Sequence, residues 1–174
     1  WGSLSFSFTD LDHGTVTFNS SSAYGSGSMN LTRLTRPAAL ADATGTGGID
    51  ARYTGAWFDP NQSGHGLFVE VLPDNRLLAW WFSFDPTGTQ QAWFGGVGTY
   101  TGTTANITAV VQPTGGRWIP NFNPQQVTNN PWGELILEFG DCANGVVTFL
   151  STRGYGLGEM ELARLTMPLG AQCP

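Results

Sequence analysis

The chain has 174 residues, enough for one domain or one domain with an appendage, and only 11% of them are charged against 13% aromatic and 24 glycines. The net charge is −6 and all seven cations are arginines, so nucleic acid and anionic membrane, which need clustered positive charge, are not expected partners, and lysine chemistry is excluded. No apolar run approaches the roughly 18 residues of a spanning helix, and Trp1 does not begin a signal peptide, so any export signal is expected to have been removed.

Along the chain, helical periodicity is nearly absent and period-two alternation recurs. Leu4, Phe6 and Phe8 alternate with Ser3, Ser5 and Ser7, and Leu135, Leu137 and Phe139 with Glu134, Ile136 and Glu138. Both read as strands with one wet face. Strands are predicted near 3–9, 15–19, 28–35, 53–58, 66–72, 77–84, 91–100, 104–112, 133–139, 146–151 and 159–166. Their connectors, such as Asp74-Asn75 and Asp85-Pro86-Thr87-Gly88, carry hairpin chemistry. Residues 113–131, with four prolines, read as a long loop ordered by Trp118, Ile119 and Phe122.

The chain also contains one stretch twice. Residues 1–37 align without a gap on 132–168, and 19 of the 37 positions are identical. These include Trp1/Trp132, Gly2/Gly133, Asp10/Asp141, Tyr24/Tyr155 and Arg33/Arg164. The chain therefore opens with the last third of a module whose complete form follows it. The expected fold is all-β, an antiparallel meander forming a barrel or sandwich of about eight strands, preceded by a three-stranded partial repeat. The expected division is a partial repeat at 1–37, a linker at 38–48 and a complete module at 49–174.

The cysteines Cys142 and Cys173 both lie in the second copy, where the first has Leu11 and Asp42. Joint presence and joint absence predict a disulfide between them and an oxidising compartment, with two unrelated thiols as the alternative.

The run Gly55 to Leu67, with Trp57, Pro60, Gly64 and Gly66, is followed by Trp81 to Gly88, Trp93, Gly115 to Trp118, Trp132 to Leu135, Asp141-Cys142 and Arg164 to Thr166. Together these resemble a repeat domain of exported Gram-negative bacterial proteins, one that occurs in tandem or appended to secreted enzymes. The resemblance covers residues 48–174, with the opening 37 matching its last third. It implies a β fold and a secreted, extracellular or periplasmic location, and no reaction.

Several constellations could carry chemistry. Asp59, Asn61, Ser63 and Gly64 with Glu70 have the spacing of a calcium loop, closed by the distal carboxylate. The competing and favoured reading is a turn in which Asp59 and Asn61 bond their own backbone, since the flanks are strands. No other cofactor is expected. Trp57, Trp81, Trp93 and Trp118 are candidates for stacking on a sugar ring, against a default of core packing. Arg33 and Arg164 share the parity of Met29 and Leu31, and of Met160 and Leu162, so each is expected to turn inward and to pair with the acid retained in its copy, Asp10 or Asp141.

Catalytic arrangements are poor. His13 and His65 lie beside glycines in turns, and Ser63-Gly64-His65-Gly66 is not a nucleophile elbow. A glycosidase needs two carboxylates across a cleft. Glu70, Asp85, Glu134 and Glu138 are available, the last two on a wet face. The expected function is a non-enzymatic extracellular assembly module. It would associate through β-strand complementation with copies of itself or neighbouring repeats, as a filament or tandem-array subunit. The alternatives are a polysaccharide-binding accessory domain and a secreted hydrolase with a carboxylate pair.

Overall fold

The computed structural model describes residues 1–43 and 47–173. It contains eleven strands, β1 (Gly2–Phe8), β2 (His13–Ser20), β3 (Ser26–Thr32), β4 (Gly55–Phe58), β5 (Gly66–Leu72), β6 (Arg76–Phe84), β7 (Gln91–Thr101), β8 (Thr104–Gly115), β9 (Val127–Phe139), β10 (Asn144–Ser151) and β11 (Gly156–Arg164). Each predicted strand is present. The expected long loop is shorter, because β8 and β9 both run into it and a 3₁₀ turn at Pro124–Gln126 occupies part of the remainder. The expected linker contains another 3₁₀ turn, Leu40–Asp42; its residues 44–46 lie outside those described.

Two compact units result, one of residues 37–114 and 129–174 and one of residues 1–36 and 115–128. Loop 115–128 thus groups with the N-terminal repeat and not with the module that contains it in sequence.

In the first unit, β4 to β11 form a closed antiparallel barrel, with β11 returning to β4 through Ala163 opposite Phe58 and Arg164 opposite Trp57. Alternation sends Leu67, Val69, Val71, Leu77, Ala79, Trp81, Ile107, Leu135, Leu137, Val147, Met160 and Leu162 into one continuous core. Burying each large side chain is worth about 1.5–3 kcal/mol. Between β5 and β6, Asp74 and Asn75 both hold positive φ, 63° and 54°, as their hairpin chemistry predicts. The outward face of β9 and β11 carries Glu134, Glu138, Glu159 and Glu161.

The second unit holds a three-stranded sheet in the order β1-β2-β3. Its registers repeat those of β9-β10-β11: Gly2 faces Ser20 as Gly133 faces Ser151, and Val16 faces Met29 as Val147 faces Met160. Polar detail repeats too. Ser20 Oγ donates to Trp1 O at 3.0 Å, and Ser151 Oγ to Trp132 O at 2.8 Å. Gly2 and Gly133 hold φ of 150° and 149°, and a Cβ at either would stand 2.0 Å from the carbonyl oxygen of Asn19 or Leu150. Only glycine fits that approach. The partial copy is therefore a correctly folded piece of barrel wall.

Candidate functional site

The difference between the two copies lies in what covers them. Within the barrel, Leu135, Leu137 and Phe139 are 0%, 0% and 2% exposed, whereas their counterparts Leu4, Phe6 and Phe8 are 56%, 59% and 72% exposed. Met29 is also exposed, while its counterpart Met160 is buried. Val16 and Phe18, on the central strand, are buried. The cross-strand rows run Phe6-Val16-Met29 and Phe8-Gly14-Leu31, exposed at Phe6, Phe8 and Met29 on the edge strands and buried at Val16 and Gly14 on the central one. This is a barrel interior without the opposite wall, and its edge strands β1 and β3 have ladder groups to offer. The reverse side carries Ser3, Ser5, Ser7, Thr15, Thr17, Ser28 and Asn30, uncharged where the barrel copy has its glutamates.

One corner of the face is closed by loop 115–128. Trp118 stands edge-on to Phe18, Tyr24 and Trp1, with ring centroids at 5.2, 5.2 and 6.5 Å, and its Nε1 donates to Tyr24 O at 3.1 Å. The same three positions in the barrel are met by two rings. Phe94 stacks on Trp132 at 4.1 Å and meets Tyr155 at 5.3 Å, and Trp81 meets Phe149 at 5.3 Å. The ring of Trp118 therefore takes the role of Phe94 and Trp81 together.

The four tryptophans singled out for stacking separate into different environments. Trp57 and Trp81 are buried core residues, whereas Trp93 and Trp118 are about half exposed. Trp93 lies on the outer face opposite Phe82, with Phe68 and Phe84 on the same side. Trp81 lines an open cavity of about 660 Å³ in the barrel unit, floored by Phe94, Trp132, Phe149 and Tyr155. At its rim His65 Nδ1 and Ser83 Oγ share a 2.8 Å hydrogen bond. Sequence reasoning set His65 aside and did not single out Ser83; the cross-strand step from Gly66 to Phe82 is what joins their neighbourhoods.

The candidate calcium residues divide between a turn and a strand, Asp59, Asn61 and Ser63 lying before β5 and Glu70 within it. Asp59 accepts from Asn61 N at 2.8 Å, as the turn reading expects of Asp59, and from the side chain of Gln62 at 2.7 Å. Glu70 follows Val69, the partner of Gly55, so the hairpin carries it about five residues, or roughly 16 Å, from Asp59. No cluster of three acidic, histidine or cysteine residues suited to a metal occurs among the described residues.

Nor do the expected ion pairs form. Asp141 spends its carboxylate on the backbone N–H of Ala143 and Asn144, at 2.7 and 2.8 Å, and the first of these holds its pKa below the ordinary value. Asp10 does the same with Asp12 and His13, and its carboxylate also meets the His13 ring at 3.0 Å. A short acid in an Asx turn satisfies itself locally before it can reach a distant guanidinium. Arg33 instead donates to Leu11 O at 2.5 Å and lies 3.4 Å from Asp12, which Arg36 also grips at 2.6 Å. Arg164, whose copy has Ala143 in place of Asp12, sits over the Trp57 ring.

Cys142 and Cys173 are bonded, with Cα atoms 5.7 Å apart. Asp85 accepts from Thr89 N and Gln90 N and from Thr87 Oγ1 in its own turn, so that carboxylate serves the connector. Glu134 and Glu138 face outward.

The chain is thus an all-β protein built from a closed eight-stranded antiparallel barrel and a three-stranded copy of that barrel's last third, and no helix among the described residues is long and apolar enough to cross a membrane. Comparison with protein-family models, with curated proteins and with solved structures gave no match.

Proposed function

We propose that the protein is a non-enzymatic assembly module of the extracellular space or periplasm, which associates through the uncovered face of β1–β3 with a β-sheet of another copy or of a neighbouring repeat. The observation that carries this reading is the contrast between Leu4, Phe6 and Phe8 and their buried counterparts Leu135, Leu137 and Phe139. The registers of β1–β3 match those of β9–β11, which supports association of an already ordered sheet at little ordering cost. The disulfide supports an oxidising compartment.

Sedimentation equilibrium of the chain and of its Leu4→Ser/Phe6→Ser/Phe8→Ser variant tests this. The chain should show a concentration-dependent mass above that of one copy, and the variant should remain a monomer with an unchanged barrel. Two monomers of equal mass over the same range would remove the reading as far as copies of the chain are concerned.

A further inference from the structure

The identity of the partner sheet follows from the inventory of walls. Among the described residues there is one five-stranded stretch of barrel wall, β4 to β8, and there are two three-stranded closing pieces, β1–β3 and β9–β11. If β1–β3 of one copy closed the β4–β8 wall of a second, the β9–β11 piece of the second would be uncovered in its place. Exchange of closing pieces between identical copies therefore yields no gain in buried apolar surface, which leaves contact between two β1–β3 faces as the route by which copies of the chain would associate. It also displaces the piece that is joined to that wall by continuous chain.

Resting on the reading of β1–β3 as an association surface, we infer that its cognate occupant is an open five-stranded sheet of the β4–β8 type that lacks its own closing strands. We further infer that loop 115–128 holds Trp118 in the place of that sheet's two rings until it arrives. Three features of the uncovered piece match such a sheet. The end of β3 and the residue after it, Thr32 and Arg33, are the counterparts of Ala163 and Arg164, which pair with β4 in the barrel. Trp1, Phe18 and Tyr24 present the surface that Phe94 and Trp81 meet in the barrel, and Trp118 now occupies it. Arg33, tethered to Asp12, is the counterpart of Arg164 over Trp57, so an arriving wall brings an indole for it, while Arg36 keeps Asp12. Trp118 and the arriving rings cannot contact the same three side chains together, so occupation by one excludes the other.

The test places residues 38–131 before Trp1 in the intact chain. The new junction, Pro131 to Trp1, reproduces the natural junction of Pro131 to Trp132. The added segment carries Trp118→Phe so that its peptides are distinguishable. Hydroxyl-radical footprinting read by mass spectrometry should show labelling of Phe6, Phe8 and Met29 falling to the level of Leu137, Phe139 and Met160, with labelling of the original Trp118 rising. Unchanged labelling of Phe6, Phe8 and Met29 would overturn the inference and leave self-association of the face untouched. Protection of those residues with no change at Trp118 would overturn the exclusion. If the extended chain does not fold, tagged 38–131 co-expressed with the intact chain replaces it. Retention of the intact chain, and not of the Leu4→Ser/Phe6→Ser/Phe8→Ser variant, is then expected, and equal retention or none overturns the proposal. A chain that is monomeric by sedimentation yet protected when extended would separate the two readings in the other direction.

Discussion

Arg164 lies over the indole of Trp57, its guanidinium carbon 4.5 Å from the ring centroid. No partner reaches its Nε or Nη2 among the described residues, and Nη1 reaches only Thr166 O at 3.3 Å and Thr54 O at 3.5 Å. Burial pulls its pKa below the ordinary value. This is a cation held by a π face and two long carbonyl contacts, with no acid to repay its desolvation.

Arg164→Met should therefore change the unfolding free energy by no more than about 1 kcal/mol in either direction, because the lost attraction and the relieved desolvation oppose each other. Trp57→Ala, which empties a buried ring site, should cost about 3–5 kcal/mol. Urea denaturation of the two variants makes the comparison. A Met variant as damaged as the Ala variant would mean that the guanidinium is held by stronger bonds than the geometry shows.

The two copies provide their own control for ring burial. Trp132 is fully buried and stacked on Phe94, whereas Trp1 is half exposed beside Trp118. Trp132→Ala should cost about 3–5 kcal/mol and Trp1→Ala less than half of that. Equal losses in the isolated chain would show that the first copy is covered in solution.

Cys142 and Cys173 close a loop with a sequence separation of 31. The chain-entropy relation assigns such a loop roughly 3–4 kcal/mol. For a chain of this size that corresponds to a fall of roughly 6–16 °C in Tm on reduction. Calorimetry with and without a reductant, and with Cys142→Ser/Cys173→Ser, measures it. The double variant should be insensitive to reductant.

Acid should weaken both turns in the same way. The backbone N–H of Asp12 lowers the pKa of Asp10, and that of Ala143 lowers the pKa of Asp141, each from an ordinary 3.8. A carboxyl whose folded pKa lies below its unfolded value contributes stability that is present above the unfolded value and lost as pH falls through the folded one. Stability should thus decline as pH drops below 3.8, and Asp141→Asn should flatten that decline while lowering stability at neutral pH. Urea titrations over that range are the check. A parallel decline in wild type and variant would assign the acid loss to other groups.

Much of this architecture was legible from period-two alternation. Leu135, Leu137 and Phe139 announce both a strand and its inward side, and the repeat announces the unpartnered piece. Closure was not legible, because barrel and sandwich differ in whether β11 meets β4, a pairing of Ala163 with Phe58 that no local pattern encodes. Alternation also leaves inside and outside undecided in β6. Leu77, Ala79, Trp81 and Ser83 turn in, and the more aromatic set of Trp80, Phe82 and Phe84 turns out, with Trp80 lying against Gly95. The inward parity of Arg164 was readable, but its partner was not, since Trp57 is brought beneath it by that same long-range closure. The spacing of Asp59 and Glu70 matches a calcium loop, but spacing alone does not reveal that Glu70 lies well along extended β5 from the turn that holds Asp59.

Pairing of β4 with β11 also sets when the molecule can become itself. On a ribosome, β4 emerges long before β11 is made, and the wall of β4 to β8 must wait, unsealed, until β11 follows. The strands that resemble the missing ones have by then already been synthesised, upstream.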